Sequence, residues 1–252
     1  MDLLRSGSRA VGLGAVTAGF LAAEQLHEHT RPEPERPEVF QRYMKVWARA
    51  CLSVFGVQLH VAPSAAPPLR RARLVVANHR SPLDVAALLA TFGGHALSRA
   101  DMAGWPILGV AARKAGTIFV DRQDASSGAT AIRRIRARLE LGRSVLVFPE
   151  GGTFAGDVVQ PFKRGTFVAL SRLDAEVVPV GLAYPDGAEF TNESFLEHVR
   201  RVAVRPTLRI CMRIGAPIPS KGVRSQDLAQ EAHAQVQRLV HEARADWRAA
   251  AP

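Results

Sequence analysis

The chain has 252 residues, 47% hydrophobic and 22% charged, a length and balance that suit one large domain with a real core, or such a domain with an appended segment. Lys and Arg outnumber Asp and Glu by 33 to 23, a formal net charge of +10, so charge alone favours a polyanionic partner: nucleic acid, an anionic membrane face or a phosphorylated substrate. Neither Cys51 nor Cys211 has a second cysteine or a histidine at ligand spacing, which argues against a disulfide framework or a zinc site and makes a reducing, cytoplasmic setting the default.

Arg5 and Arg9 precede an apolar stretch, Ala10 to Ala23, that glycines interrupt at 12, 14 and 19. Its 14 residues fall short of the ~20 that a helix needs to cross a bilayer. A basic start and small residues at Ala22 and Ala23 also fit a signal peptide, and a poorly ordered leader fits as well. A shallow membrane anchor is the reading favoured here, because the chemistry further along suits the cytoplasm. The run Thr30-Arg31-Pro32-Glu33-Pro34-Glu35-Arg36-Pro37 reads as a linker. Residues 1–38 are thus expected to be leader and linker, and 39–252 the main domain, with an amphipathic helix over 39–57 and an α/β core over 70–252.

From Val39 onward, Phe40, Tyr43, Met44, Trp47, Cys51, Val54 and Phe55 recur at helical spacing, with Arg42, Lys45 and Arg49 off that face. The stripe suits core packing. It also suits an interfacial helix that holds Trp47 and Tyr43 at headgroup level. Leu74 to Ala77 is a short buried strand, and further strands are expected over 117–120, 144–148, 177–182 and 208–214. Helices are expected over 85–89, 129–141 and 167–173, with a long amphipathic one ending the chain through Leu228, Ala232, Val236, Leu239, Ala243 and Trp247. Strand and helix in alternation predict an α/β fold with a largely parallel central sheet flanked by helices, preceded by a helical segment that associates with membrane.

Chemistry concentrates at the strand ends. Asn78-His79-Arg80-Ser81-Pro82-Leu83-Asp84 follows a hydrophobic strand directly, at the carboxyl edge where parallel sheets bind ligands. His79 stands where a general base would, and a turn through Ser81 (N-cap) and Pro82 (first helical position) could fold Asp84 back onto the imidazole. The same residues read equally well as a capping box in which Asp84 bonds backbone alone. Two later segments also end strands in polar residues: Gly116 to Arg122, closing on an arginine, and Phe148-Pro149-Glu150-Gly151-Gly152-Thr153. Glycines admit close backbone approach to an anion, and arginine offers paired donors to phosphate. Val177 to Val180 opens another apolar strand.

In this order the segments resemble the glycerophospholipid acyltransferase family, which includes 1-acylglycerol-3-phosphate acyltransferases. His79 to Asp84 is similar to that family's His-x4-Asp box, Gly116 to Arg122 to its second motif, Phe148 to Gly151 to its third and Val177 to Val180 to its fourth. The resemblance implies direct transfer of a fatty acyl group from acyl-CoA or acyl carrier protein to a lysolipid hydroxyl. His79 would be the base and Asp84 its orienting partner. Arg122, Glu150 and Gly151 would position a glycerol phosphate, and Pro179 would shape the wall near the acyl donor. No metal or cofactor is implied beyond the thioester co-substrate. Where the family commonly has threonine after Phe-Pro-Glu-Gly, this chain has Gly152 and then Thr153, and Lys163 and Arg164 stand as replacement phosphate contacts. Lysophosphatidic acid is the first acceptor implied. Another lysolipid, such as lyso-ornithine lipid, or a non-catalytic membrane-binding relative are the alternatives. The arginines at 133, 134, 136 and 138 suit anionic headgroups at the cytoplasmic face of a cell membrane. Nucleic acid is not expected, since no binding motif accompanies an aromatic content of 6%.

Overall fold

The computed structural model describes residues 2–30, 36–63, 72–105, 108–121 and 124–249. Eight strands form one sheet: β1 (Val57–Val61), β2 (Arg73–Ala77), β3 (His95–Arg99), β4 (Ile118–Val120), β5 (Val145–Val147), β6 (Glu176–Ala183), β7 (Leu208–Ile214) and β8 (Ile218–Pro219). The helices are α1 (Asp2–Thr30), α2 (Arg36–Val54), α3 (Leu83–Phe92), α4 (Leu108–Lys114), α5 (Ala125–Glu140), α6 (Gly165–Val168), α7 (Phe195–Ala203) and α8 (Ser225–Ala249).

Strand order is β1-β7-β6-β2-β5-β3-β4, with β8 also on β6. Neighbours run parallel except where β6 meets β7 and β8. A parallel strand covered on both faces must be apolar throughout, and every residue of β2 is buried. Its side chains alternate between two cores. Val75 and Ala77 face a core built with α1, α2, α3 and α7, while Leu74 and Val76 face one built with α5, α6 and α8. β2 is therefore central in both directions, and its carboxyl end delivers His79.

Beyond the expected elements the sheet contains β1, β3 and β8. Because β1 pairs with β7, the α/β core takes in residues from 57 rather than from 70. The N-terminal segment also differs from its expectation. A single helix runs through Gly12, Gly14 and Gly19, and it packs on α2, with Phe20 in the core against Tyr43 and Trp47. Trp47 Nε1 donates to Thr17 Oγ1 at 3.1 Å, and Tyr43 pairs with His27. Those two aromatics are thus occupied by α1 and do not stand free at headgroup level. Arg5 and Arg9 are tied down as well. They donate to the carbonyls of Ala203, Val204, Arg205 and Pro206, the unpaired acceptors at the end of α7. Most of the proline-rich linker lies outside the described residues. None of the described helices is long and apolar enough to cross a membrane.

Helix α8 covers β6 at very close range. A Cβ on Gly181 would stand 2.3 Å from the Leu239 carbonyl carbon and 2.4 Å from the Val240 nitrogen. The obstruction is backbone, so no side-chain rearrangement can relieve it. We expect Gly181→Ala to destabilise the fold by about 1–3 kcal/mol, the usual range for overpacking, as read from chemical denaturation.

Candidate active site

The end of β2 is pinned before the chemistry starts. Asn78 is fully buried and bonds Leu182 like an extra ladder residue: its Nδ2 donates to the carbonyl at 2.9 Å and its Oδ1 accepts the N–H at 2.8 Å. The chain then turns into α3. Asp84, with no exposed surface, receives three donors on Oδ2: Arg80 N at 2.6 Å, Ser81 N at 2.8 Å and His79 Nδ1 at 2.9 Å. Backbone capping and contact with the imidazole therefore hold together, and the two sequence readings of this turn are one structure. Ser81 supports the turn too, its Oγ accepting the Leu83 N–H.

Since Asp84 can only accept, the ring proton of neutral His79 sits on Nδ1. Nε2 has no hydrogen-bond partner among the described residues, and the side chain is 16% exposed. The ring lies flat on Phe148, with centroids 4.0 Å apart and planes 14° from parallel. An aromatic face there favours a cation, so it suits an imidazole that acquires a proton during reaction. Asp84 Oδ1 and Tyr184 Oη are both buried, and the phenol faces the Asp84 carboxylate. Burial, and next the Asp84 charge, push the Tyr184 phenol well above its ordinary value, so it stays protonated.

Glu150 has a structural role that the sequence did not disclose. Its side chain is fully buried, and it accepts from His79 N at 2.6 Å, Gln160 N at 2.7 Å and Arg80 Nη1 at 3.0 Å. Arg80 in turn donates to the carbonyls of His79, Gly156 and Val158. Glu150 thus braces the His79 turn from beneath, where the sequence reading had it positioning a substrate phosphate. Pro179 also packs inside the fold. It is buried in β6 opposite Val76, and Gly215 packs against its ring beside Leu239 of α8. That places it on the α8 face of the sheet. Its missing N–H falls where β6 changes partner from β8 to β7, a place that tolerates proline.

The third-motif loop stays close to the base. Gly151 has φ +77°, and the Lys163 side chain lies across it, Nζ 2.6 Å from where a Cβ would stand. Lys163 is exposed, with no ion pair or side-chain hydrogen bond among the described residues. Gly152 borders the Phe154 ring, and Thr153 Oγ1 donates to the Phe190 carbonyl. Phe154 N and Phe190 N donate to the carbonyls of His79 and Arg80. Both residues line an open groove of about 770 Å³ with Arg99, Thr153, Glu193 and Glu197. Arg122 lies outside the described residues. Cys51 is no nucleophile, since burial pushes its thiol up to about 12. No group of three or more His, Cys, Asp or Glu among the described residues could hold a metal ion.

A buried carboxylate that fixes the tautomer of a partly exposed histidine, at the carboxyl edge of a parallel sheet, is an arrangement that suits general-base chemistry. Residues 59–183 match the profile of the Acyltransferase family. The chain is 32% identical over 240 residues to a lyso-ornithine lipid O-acyltransferase of Pseudomonas aeruginosa, covering 92% of this chain and 91% of that protein. It is 31% identical over 150 residues to a 1-acyl-sn-glycerol-3-phosphate acyltransferase of Neisseria meningitidis, covering 60% and 58%. The crystal structure of the 1-acyl-sn-glycerophosphate (LPA) acyltransferase from Thermotoga maritima has the same fold, with a TM-score of 0.77 at 20% identity over 97% of this chain and 96% of that one. The chain belongs to the acyltransferase family.

Sequence reasoning placed His79 and Asp84 correctly together and gave Ser81 only an N-cap role, but assigned no role to Asn78 or Arg80. It overlooked the 187–201 segment altogether. The pairing of Arg80 with Glu150 gives a direct check. Glu150→Ala leaves a buried guanidinium uncompensated and should cost about 3–5 kcal/mol of stability. A raised acceptor KM at an unchanged melting temperature would instead restore Glu150 as a substrate contact.

Proposed function

We propose that the protein transfers a fatty acyl group from an acyl thioester, acyl-CoA or acyl carrier protein, to the free hydroxyl of a lysolipid. The observation that carries this reading is the contact of His79 Nδ1 with Asp84, which leaves Nε2 free and partly exposed. Nε2 takes the hydroxyl proton as that oxygen attacks the thioester carbonyl. The carbon–sulfur bond breaks, and the proton passes to the departing thiolate. No residue becomes acylated, and no metal or further cofactor enters the scheme. General-base assistance accounts for about 10²–10⁴-fold of the rate, and alignment of the two substrates must supply much of the rest.

On this reading the acceptor head lies along Gly151, Gly152 and Thr153, with Lys163 meeting its anionic group and Arg122 a further phosphate or carboxylate donor. Similarity along nearly the whole chain to a lyso-ornithine lipid O-acyltransferase supports a zwitterionic amino-acid head as acceptor. Lysophosphatidic acid is the second reading, supported by the relatives that act on 1-acyl-sn-glycerol-3-phosphate.

The protein would meet both substrates at the cytoplasmic face of the membrane as a peripheral protein. The net charge of +10 and the exposed Leu4, Val11 and Leu26 of α1 support that placement. Thiol release from palmitoyl-CoA, followed with lyso-ornithine lipid and then with lysophosphatidic acid, tests the scheme. Release should require an acceptor, proceed faster with lyso-ornithine lipid, and fall at least about 10²-fold in a folded His79→Ala variant. Undiminished transfer in that variant removes His79 as the base.

A further inference from the structure

Behind the His79 turn lies a second histidine that the scheme above does not use. His198, on α7, is 2% exposed. Its Nε2 is 2.9 Å from Ser81 Oγ, and its Nδ1 is 2.8 Å from Glu193 Oε1. Glu193 is held in turn by Arg201, whose Nε donates to Oε2 at 3.1 Å. Arg201 Nη2 also stands 3.2 Å from His198 Nδ1, farther than the 2.8 Å to the carboxylate, so the carboxylate is the partner that sets the tautomer. Arg201 is itself tied to the carbonyls of Gly187 and Glu189. The Arg201 guanidinium, ahead of His198, keeps the Glu193 carboxyl below its ordinary range, so Glu193 accepts and His198 carries its proton on Nδ1. Burial keeps His198 neutral by lowering its pKa. Nε2 is therefore an acceptor, and the Ser81 hydroxyl donates to it.

Hydroxyl, imidazole and carboxylate follow one another here as in a nucleophilic triad, but the burial forbids that use. Ser81 has no exposed surface, so no thioester can reach Oγ. What the array can do is fix Ser81. With its proton committed to His198, the Ser81 oxygen presents its lone pairs to the Leu83 N–H. The backbone N–H of the same residue donates to Asp84 Oδ2, the oxygen that orients His79.

We propose that His198, with Glu193 behind it, is a positioning residue for acyl transfer, acting through Ser81 on the Asp84 carboxylate that aims His79. The proposal rests on the acyl-transfer reading for its rate effect. Its geometric part, the hold on the His79–Asp84 contact, stands apart from activity. Segment 187–201 thereby becomes part of the catalytic apparatus, acting through Ser81.

The test compares Ser81→Ala, His198→Leu, His198→Gln and the double variant Ser81→Ala/His198→Leu with the wild-type protein. Each variant is checked for folding by circular dichroism. Ser81→Ala and His198→Leu should each lower kcat by about 10–10²-fold, the scale of a small misplacement at a reacting centre, with both KM values within about threefold. The double variant should be no slower than the slower single one, because both substitutions break one chain. His198→Gln, which can still accept from Ser81, should recover much of kcat. In proton NMR of the imidazoles, the His79 Nδ1–H signal should broaden by solvent exchange in Ser81→Ala but not in His198→Gln. That spectrum decides the geometric part even if the wild-type protein transfers no acyl group, an outcome that defeats the acyl-transfer reading separately. If His198→Leu does not fold, Ser81→Ala decides alone, since it removes one oxygen only. Wild-type kcat in Ser81→Ala, multiplying penalties in the double variant, or an unchanged His79 signal would overturn the proposal.

Discussion

A carboxylate without exposed surface is costly to bury, and three donors converge on Asp84 Oδ2 to offset that cost. Two of those donors are backbone N–H groups of the turn that Asp84 itself closes. The same contacts therefore shape the turn, start α3 and hold the imidazole tautomer. Nothing in this arrangement can move independently. A shift of the turn would strip donors from Asp84, and loss of the charge would release both turn and ring. This reciprocity lets a short loop hold an imidazole in place.

The surrounding structure resists that shift from three sides. Asn78 ties the end of β2 to β6. The Glu150–Arg80 pair, with its bonds to His79 N and to loop carbonyls, fixes the turn against the third-motif loop. Phe154 N and Phe190 N close on the carbonyls of His79 and Arg80. A buried ion pair contributes little to net stability compared with an apolar replacement, and removing one partner is what costs most. Its value here is geometric: it holds two loops from different strands in one register around the base.

How much of this the sequence discloses depends on the range of the interaction. β2 is apparent because a strand buried on both faces is an unbroken apolar run. The His79–Asp84 contact is apparent because it spans five residues across a single turn. β3 was missed since His95, Ser98 and Arg99 break its apolar pattern, and β1 because only two of its five residues, Val57 and Leu59, are not exposed. For α7 a signal existed: Ser194 and Glu197 form a capping box ahead of Val199 and Val202. The pairing of Glu150 was not legible, because its partner, Arg80, lies 70 residues away. The glycines of α1 suggested breaks, yet packing against α2 overrides their weak propensity, and Gly12 sits against Val54. Long-range pairing of this kind leaves no local periodicity to read.

The account stands on Asp84 acting through the tautomer of His79. Its most direct test is the turnover of folded Asp84→Asn under saturating donor and acceptor. An amide in place of the carboxylate can favour the wrong ring tautomer, and kcat is expected to fall by about 10³–10⁴-fold. A kcat within a few-fold of wild type would contradict the account, since His79 would then act as base without the partner around which the turn is built.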